Sequence, residues 1–339
     1  MRKILLSAVA LSAILATGEA QARDQIRIVG SSTVFPFSTA VAEHFGNKTS
    51  FPTPVVESTG SGGGLKLFCE GVGEGTPDIT NSSRRIKASE VETCAKNGVK
   101  DVTEVKVGFD GIVLANSKNG PLFDVTREQI FLALAKQVPV DGKLVDNPYS
   151  NWHEIDDSLP DEKIEVLGPP PTSGTRDAFV ELVMDHACET FPEIEALDDD
   201  ARKAACGSMR EDGAFIEAGE NDNLIVNKLE ENPVALGIFG FSFLDQNTDN
   251  IQGSRVDGIE PTFENIADGE YPVSRSLYFY VKNAHVDVVP GIREYIAEFT
   301  SDAASGEDGY LADKGLIPLP EEEREKVRSE ANNLQPLSL

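Results

Sequence analysis

Basic residues are scarce in this chain. Its 339 residues hold 30 Lys and Arg against 57 Asp and Glu, a formal charge of −27 with histidine neutral. No basic run exceeds the length of Arg84-Arg85. This argues against nucleic acid or an anionic membrane as partner, since a phosphate backbone is met by a stripe of cations. Cysteine is sparse too: Cys69, Cys94, Cys188 and Cys206 show no C-x-x-C spacing. The histidines, His44, His153, His186 and His285, form no ligand cluster, so neither a metal site nor any other cofactor is expected. No internal repeat or low-complexity segment is visible, and no apolar run after the first 22 residues is long enough to span a membrane. With 40% hydrophobic residues, 29 glycines and 19 prolines, the composition is outside the disordered and collagen-like classes. A chain of this length is more than one core usually fills, so two lobes are expected.

The first residues read as an address. Arg2 and Lys3 precede an apolar run from Ile4 to Ala16, and Ala20-Gln21-Ala22 is the small-x-small pattern before a peptidase cut. Residues 1–22 are therefore expected to be a cleaved signal peptide, with a run shorter than the roughly 18 to 20 residues a membrane anchor needs. No cysteine lies near the cut, so no lipid anchor is expected there. Export to an oxidising space, most simply a bacterial periplasm, suits an even cysteine count. Four cysteines allow three pairings; Cys69–Cys94 with Cys188–Cys206 is preferred, because each bond then falls in its own lobe.

Along the mature chain, strand, polar turn and helix alternate. Gln25 to Val29 reads as a strand, Gly30 to Thr33 as a turn, and Pro36 opens a helix through Val41, Ala42 and Phe45. The unit recurs with strands at Pro54–Ser58 and Asp78–Asn81 and helices starting near Leu65 and Ala88. Val102–Val107 and Ile112–Ala115 read as two further strands. Farther on come a helix from Arg127 to Lys136, a strand Ile164–Leu167 and an apolar helix Phe179–Met184. Asp198–Gly213 reads as an acidic surface excursion held by the second disulfide. Val234–Phe241 and Arg275–Val281 are strands, and Pro290–Thr300 and Glu321–Ser329 are helices. This alternation predicts an α/β fold with largely parallel sheets flanked by helices, and it aims strand C-termini at helix N-termini, where such folds bind ligands.

Three Ser/Thr-rich turns open helices: Ser31-Ser32-Thr33, Ser61-Gly62-Gly63 and Ser173-Gly174-Thr175. Any one of them is accounted for by helix capping. Three together, two of them rich in glycine so that backbone can approach a ligand, point to an anion held by helix N-termini. A phosphate-loop NTPase is excluded, because Leu65 stands where the second glycine of that loop belongs. Arg84 and Arg176 each flank a serine turn, where a planar fork can clamp a tetrahedral oxyanion. Asp110, in Phe109-Asp110-Gly111, offers an acceptor for the proton of an oxyanion that still carries one. Protonated phosphate has such a proton and sulfate at neutral pH has none, so an unpaired acceptor would reject sulfate. The alternative is that Asp110 only pairs with Arg84 and orients it. An exported phosphate-ester hydrolase would need a nucleophile with its base or a metal cluster, and no histidine lies in a serine turn.

As a set, Val29–Phe37, Glu57–Gly64, Asp78–Arg84, Gly108–Val113 and Ser173–Arg176 resemble the periplasmic phosphate-binding protein of the high-affinity phosphate ABC transporter, in order and spacing over nearly the whole mature chain. The resemblance implies a two-lobe periplasmic binding protein (Venus-flytrap, type II) that closes around inorganic phosphate and presents it to a membrane permease, without turnover. It places the first lobe at 23–110 and 281–339 and the second at 111–280, in a monomer. Carried over by position, Ser32, Thr33 and Val34 supply first-turn contacts, Ser61 and Ser83 hydroxyls, and Ser173, Gly174 and Thr175 the second-lobe turn. The best-known members have an aspartate where this chain reads Ser83-Arg84, and an arginine where it has Pro169. Other members carry the Ser-Ser-Arg and Ser-Gly-Thr-Arg forms, so Arg84, Arg176 and Asp110 are expected to take over those charge roles. Sulfate, molybdate or a phosphonate are the alternative ligands.

Overall fold

The computed structural model describes residues 23–171, 173–219 and 222–338. The expected signal peptide, residues 1–22, lies outside them. The first lobe is built from β1 (Arg27–Gly30), α1 (Phe35–Lys48), β2 (Val55–Ser58), α2 (Ser61–Phe68), β3 (Ile79–Ser82) and α3 (Ala88–Lys96). β1 lies between β2 and β3 and is parallel to both, with Arg27 opposite Val55 and Ile28 opposite Ile79. Parallel neighbours need crossover connections, which is why a helix follows each strand. Ile28 and Val29 are fully buried, and Phe37, Val41 and Phe45 on one stripe of α1 pack over this sheet. Pro36 starts α1 where its missing N–H costs nothing.

The two strands expected over 102–115 are one strand, β4, running from Val102 to Ser117. Gly108–Gly111 stays extended because the return strand, Ser274–Lys282, supplies a continuous antiparallel partner, with Arg275 opposite Asp110 and Ser274 opposite Gly111. The same return strand pairs antiparallel with β3. Its Leu277, Phe279 and Val281 belong to the first lobe's core beside Val41 and Phe45. The return strand, from Ser274, therefore joins the first lobe's sheet and core.

The far half of β4 pairs antiparallel with Leu236–Gly240 and Ile251–Gly253, and Leu236–Gly240 runs parallel to Val166–Gly168, which in turn pairs with Phe215–Glu217. Trp152, Phe131, Phe179 and Phe239 are fully buried in the second lobe's core. The expected excursion at 198–213 is instead largely a helix, Asp199–Gly207, whose first turn Asp198 caps through Oδ1 to the Ala201 N–H at 2.9 Å. It is anchored by Cys206, which is buried and bonded to Cys188; Cys69 bonds Cys94 in the first lobe. A hairpin, Gln137–Val140 with Lys143–Asp146, was not anticipated. Its Asp141-Gly142 turn has positive φ at both residues, 51° and 75°, which is the favoured two-residue hairpin connection.

Candidate functional site

The first turn is shaped by close backbone packing. Ser31 N–H donates to Asn81 O at 3.0 Å, and a Cβ on Gly30 would lie 2.1 Å from that same oxygen. Only glycine fits there, at φ 131°. Gly64 of α2 has a related role, because its Cβ would stand 2.4 Å from Gly30 Cα. At Gly64, then, the glycine-rich stretch serves to press α2 onto the first turn. The Ser31 hydroxyl accepts from Val34 N–H at 3.4 Å, and Ser32 and Thr33 are left facing the cleft.

Between the lobes lies a cavity of about 650 Å³. Ser32 and Thr33 line it from the first lobe, Asp110 from β4, and Ser173, Gly174 and Thr175 from the second lobe. The two turns meet: a Cβ on Gly174 would lie 3.6 Å from Ser32 O and 3.8 Å from Thr33 Cα. Ser173 caps the helix Gly174–Phe179 by accepting from Thr175 N–H at 3.2 Å. Six of the eleven residues singled out in the sequence are thus brought together around one cavity.

The other five are placed elsewhere. Val34 is fully buried beneath the start of α1. Ser61 and Ser83 pair with one another, Oγ to Oγ at 3.1 Å, and Ser83 N–H donates to Ser61 Oγ at 3.0 Å. Arg84 does not clamp the cleft: its fork closes on Glu90, Nη2 to Oε1 at 2.8 Å and Nη1 to Oε2 at 2.9 Å. Arg176 donates to Pro169 O at 3.2 Å and lies 4.6 Å over the Phe215 ring, lining a separate cavity of about 460 Å³. Burial there lowers its pKa.

The arginine next to the cleft is one that sequence reasoning missed. Arg275, at the start of the return strand, donates from Nε to Asp110 Oδ2 at 3.3 Å and from Nη2 to Thr33 Oγ1 at 2.6 Å. Asp110 is thus paired with Arg275 and not with Arg84. Burial pushes the Asp110 carboxyl above the usual carboxylate range, and the guanidinium opposes that rise. Ser274 and Ser276 flank Arg275, but they lie in a strand and open no helix; the available signal was the register of a strand that must cross between lobes beside Asp110.

A family model described as a PBP superfamily domain matches residues 15–303. The chain belongs to that superfamily. Protein SphX of Synechocystis is 31% identical over 329 residues, covering 95% of this chain and 86% of that one. The phosphate-binding protein PstS of Staphylococcus saprophyticus is 26% identical over 311 residues, covering 90% and 83%. Among solved structures, a possible phosphate binding protein from Planctomyces limnophilus is 27% identical and superimposes with a TM-score of 0.70 over 92% of this chain and 98% of that one. The resemblance read from the motifs and the two-lobe α/β architecture agree with this superfamily membership.

Proposed function

We propose that this chain is the extracytoplasmic receptor of a phosphate importer, binding one inorganic phosphate between its lobes and presenting it to an ABC permease. The observation that carries the reading is the meeting of Ser32-Thr33 with Ser173-Gly174-Thr175 over Asp110. Hydroxyls and helix-start N–H groups donate to oxyanion oxygens, and Asp110 accepts the proton that a phosphate monoanion or dianion still carries. Sulfate brings no proton and leaves two acceptors facing each other, which costs affinity. Relatives named for phosphate binding support the same ligand. Closure gives the permease a surface that differs between the liganded and open forms, and only such a difference can signal loading.

In this reading the chain has no turnover. The histidines are placed for other work: His285 Nδ1 lies 2.6 Å from Asp78 Oδ1 and its Nε2 3.0 Å from Val72 O, and His44 stacks on Tyr310. Among the described residues no histidine lines the cleft to act as base for Ser32, Thr33 or Ser173. No helix of the described residues is long and apolar enough to cross a membrane.

The test is calorimetric titration of the mature protein, freed of co-purified ligand by unfolding and refolding, with phosphate and then sulfate at neutral pH. One-to-one phosphate binding undisturbed by a large sulfate excess is expected. Equal competition by sulfate, or no phosphate binding, would overturn the proposal.

A further inference from the structure

Arg275 reaches three separate parts of the molecule with one guanidinium. Nε meets Asp110 on β4, Nη2 meets Thr33 in the first lobe's turn, and Nη1 meets Glu181 Oε2 in the second lobe at 2.5 Å. Its side chain is 8% exposed, whereas that of Glu181 is 59% exposed. Glu181 lies in a π-helical turn, Val180–Asp185, directly continuing the helix that Ser173 caps. The guanidinium is a permanent cation with donors only, so each group it touches is held as an acceptor.

That constraint has a chemical consequence at the cavity wall. Thr33 Oγ1 accepts from Nη2, so its own O–H is not spent on the guanidinium and is available as a donor to the cleft that Thr33 lines. Asp110 accepts through Oδ2, and among the described residues no hydrogen bond is made to Oδ1, which is left as an acceptor. A donor and an acceptor are thereby fixed side by side, matching an oxyanion with one bare oxygen and one hydroxyl. We propose that Arg275 is a positioning residue that sets this donor–acceptor polarity without itself holding the ligand, and that Glu181 holds Arg275 in place only when the lobes are closed. The inference rests on the phosphate reading above and adds the source of its selectivity. Lobe opening withdraws Glu181 from the return strand, frees the guanidinium to turn, and loosens the polarity that the closed site presents.

The experiment titrates wild type, Arg275→Gln, Arg275→Lys and Glu181→Gln with phosphate and with sulfate, using near-ultraviolet circular dichroism to confirm folding. Arg275→Gln is expected to weaken phosphate binding by about 30-fold, the scale of one charge-assisted hydrogen bond, and to narrow the phosphate-to-sulfate ratio. Arg275→Lys restores the charge but not the fork, so it recovers part of the ratio. Glu181→Gln loosens the hold on Arg275, so it lowers phosphate affinity by about 3- to 10-fold and narrows the ratio, though less than Arg275→Gln does. If Arg275→Gln does not fold, Arg275→Lys carries the test: a narrowed ratio supports the proposal and an unchanged one overturns it. An unchanged ratio in a folded Arg275→Gln, whatever its affinity, shows a merely structural arginine and overturns this proposal alone. Wild type failing to bind phosphate overturns the receptor reading and this inference with it.

Discussion

Glu90 holds Arg84 by both oxygens, and its Oε2 also accepts Lys87 N–H at 2.8 Å at the start of α3. The arginine that follows the third strand is therefore fixed by a helix cap and not by the cleft. Arg84→Gln is expected to change phosphate affinity less than about threefold and stability by less than about 1 kcal/mol, the range of a partly exposed ion pair. Parallel calorimetry and urea melts check this. A loss comparable with that of Arg275→Gln would show that Arg84 turns to the ligand on binding.

Asp110→Asn tests the acceptor. The amide can turn an N–H toward the ligand, so a fully deprotonated oxyanion becomes acceptable where the carboxylate repelled it. Sulfate affinity is expected to rise and phosphate affinity to fall by about tenfold, one lost charge-assisted hydrogen bond. Competition titrations of the two anions measure both changes. Sulfate binding as weak as in wild type would remove Asp110 from the selectivity argument.

The layout of the fold was legible where local signals agree with the tertiary result. β1, α1, β2 and β3 follow from apolar strands, polar turns and a proline at a helix start, and the two disulfides join nearest neighbours as preferred. The join at Gly108–Gly111 was not legible, because a glycine-flanked Asp110 reads as a break unless its partner strand is known to be Ser274–Leu277. The same non-local pairing hid Arg275, which reaches Thr33 from 242 residues away in the chain. In this structure the side chains of Arg84 and Arg176 lie away from the cleft for a different reason. Adjacency to a turn fixes where a backbone lies, whereas a long side chain goes to its best partner, here Glu90 for one and Phe215 with Pro169 for the other.

The second disulfide ties the helix Asp199–Gly207 to the helical segment that contains Glu181. With cysteines 18 residues apart, loop closure alone contributes about 3 kcal/mol. Replacing Cys188 and Cys206 with serine is expected to remove stability of that order, while phosphate stoichiometry stays one to one. Denaturant melts with and without phosphate separate the two effects. A variant as stable as wild type would show that strain or residual unfolded-state structure cancels the loop term.

Lys282 is fully buried at the end of the return strand, donating to Gly71 O at 2.6 Å and Thr76 Oγ1 at 2.7 Å. Desolvation lowers its pKa to about 8, against the pull of Asp78. A lysine whose folded value lies below its unfolded one penalises folding at pH below 8, where both states are charged. The penalty is relieved as pH rises from about 8 toward the unfolded value of 10.5. Relative to Lys282→Met, wild type is therefore expected to gain stability between pH 7.5 and 9.5, by about 2 kcal/mol. Taking the difference against the variant cancels the buried tyrosines Tyr271, Tyr280 and Tyr295, whose raised values act in the opposite direction at high pH. Urea unfolding of both proteins at the two pH values gives the double difference. A difference that stays flat would mean that the folded amine is hydrated and keeps its ordinary value, and one that falls would mean that its value is raised; either overturns the prediction.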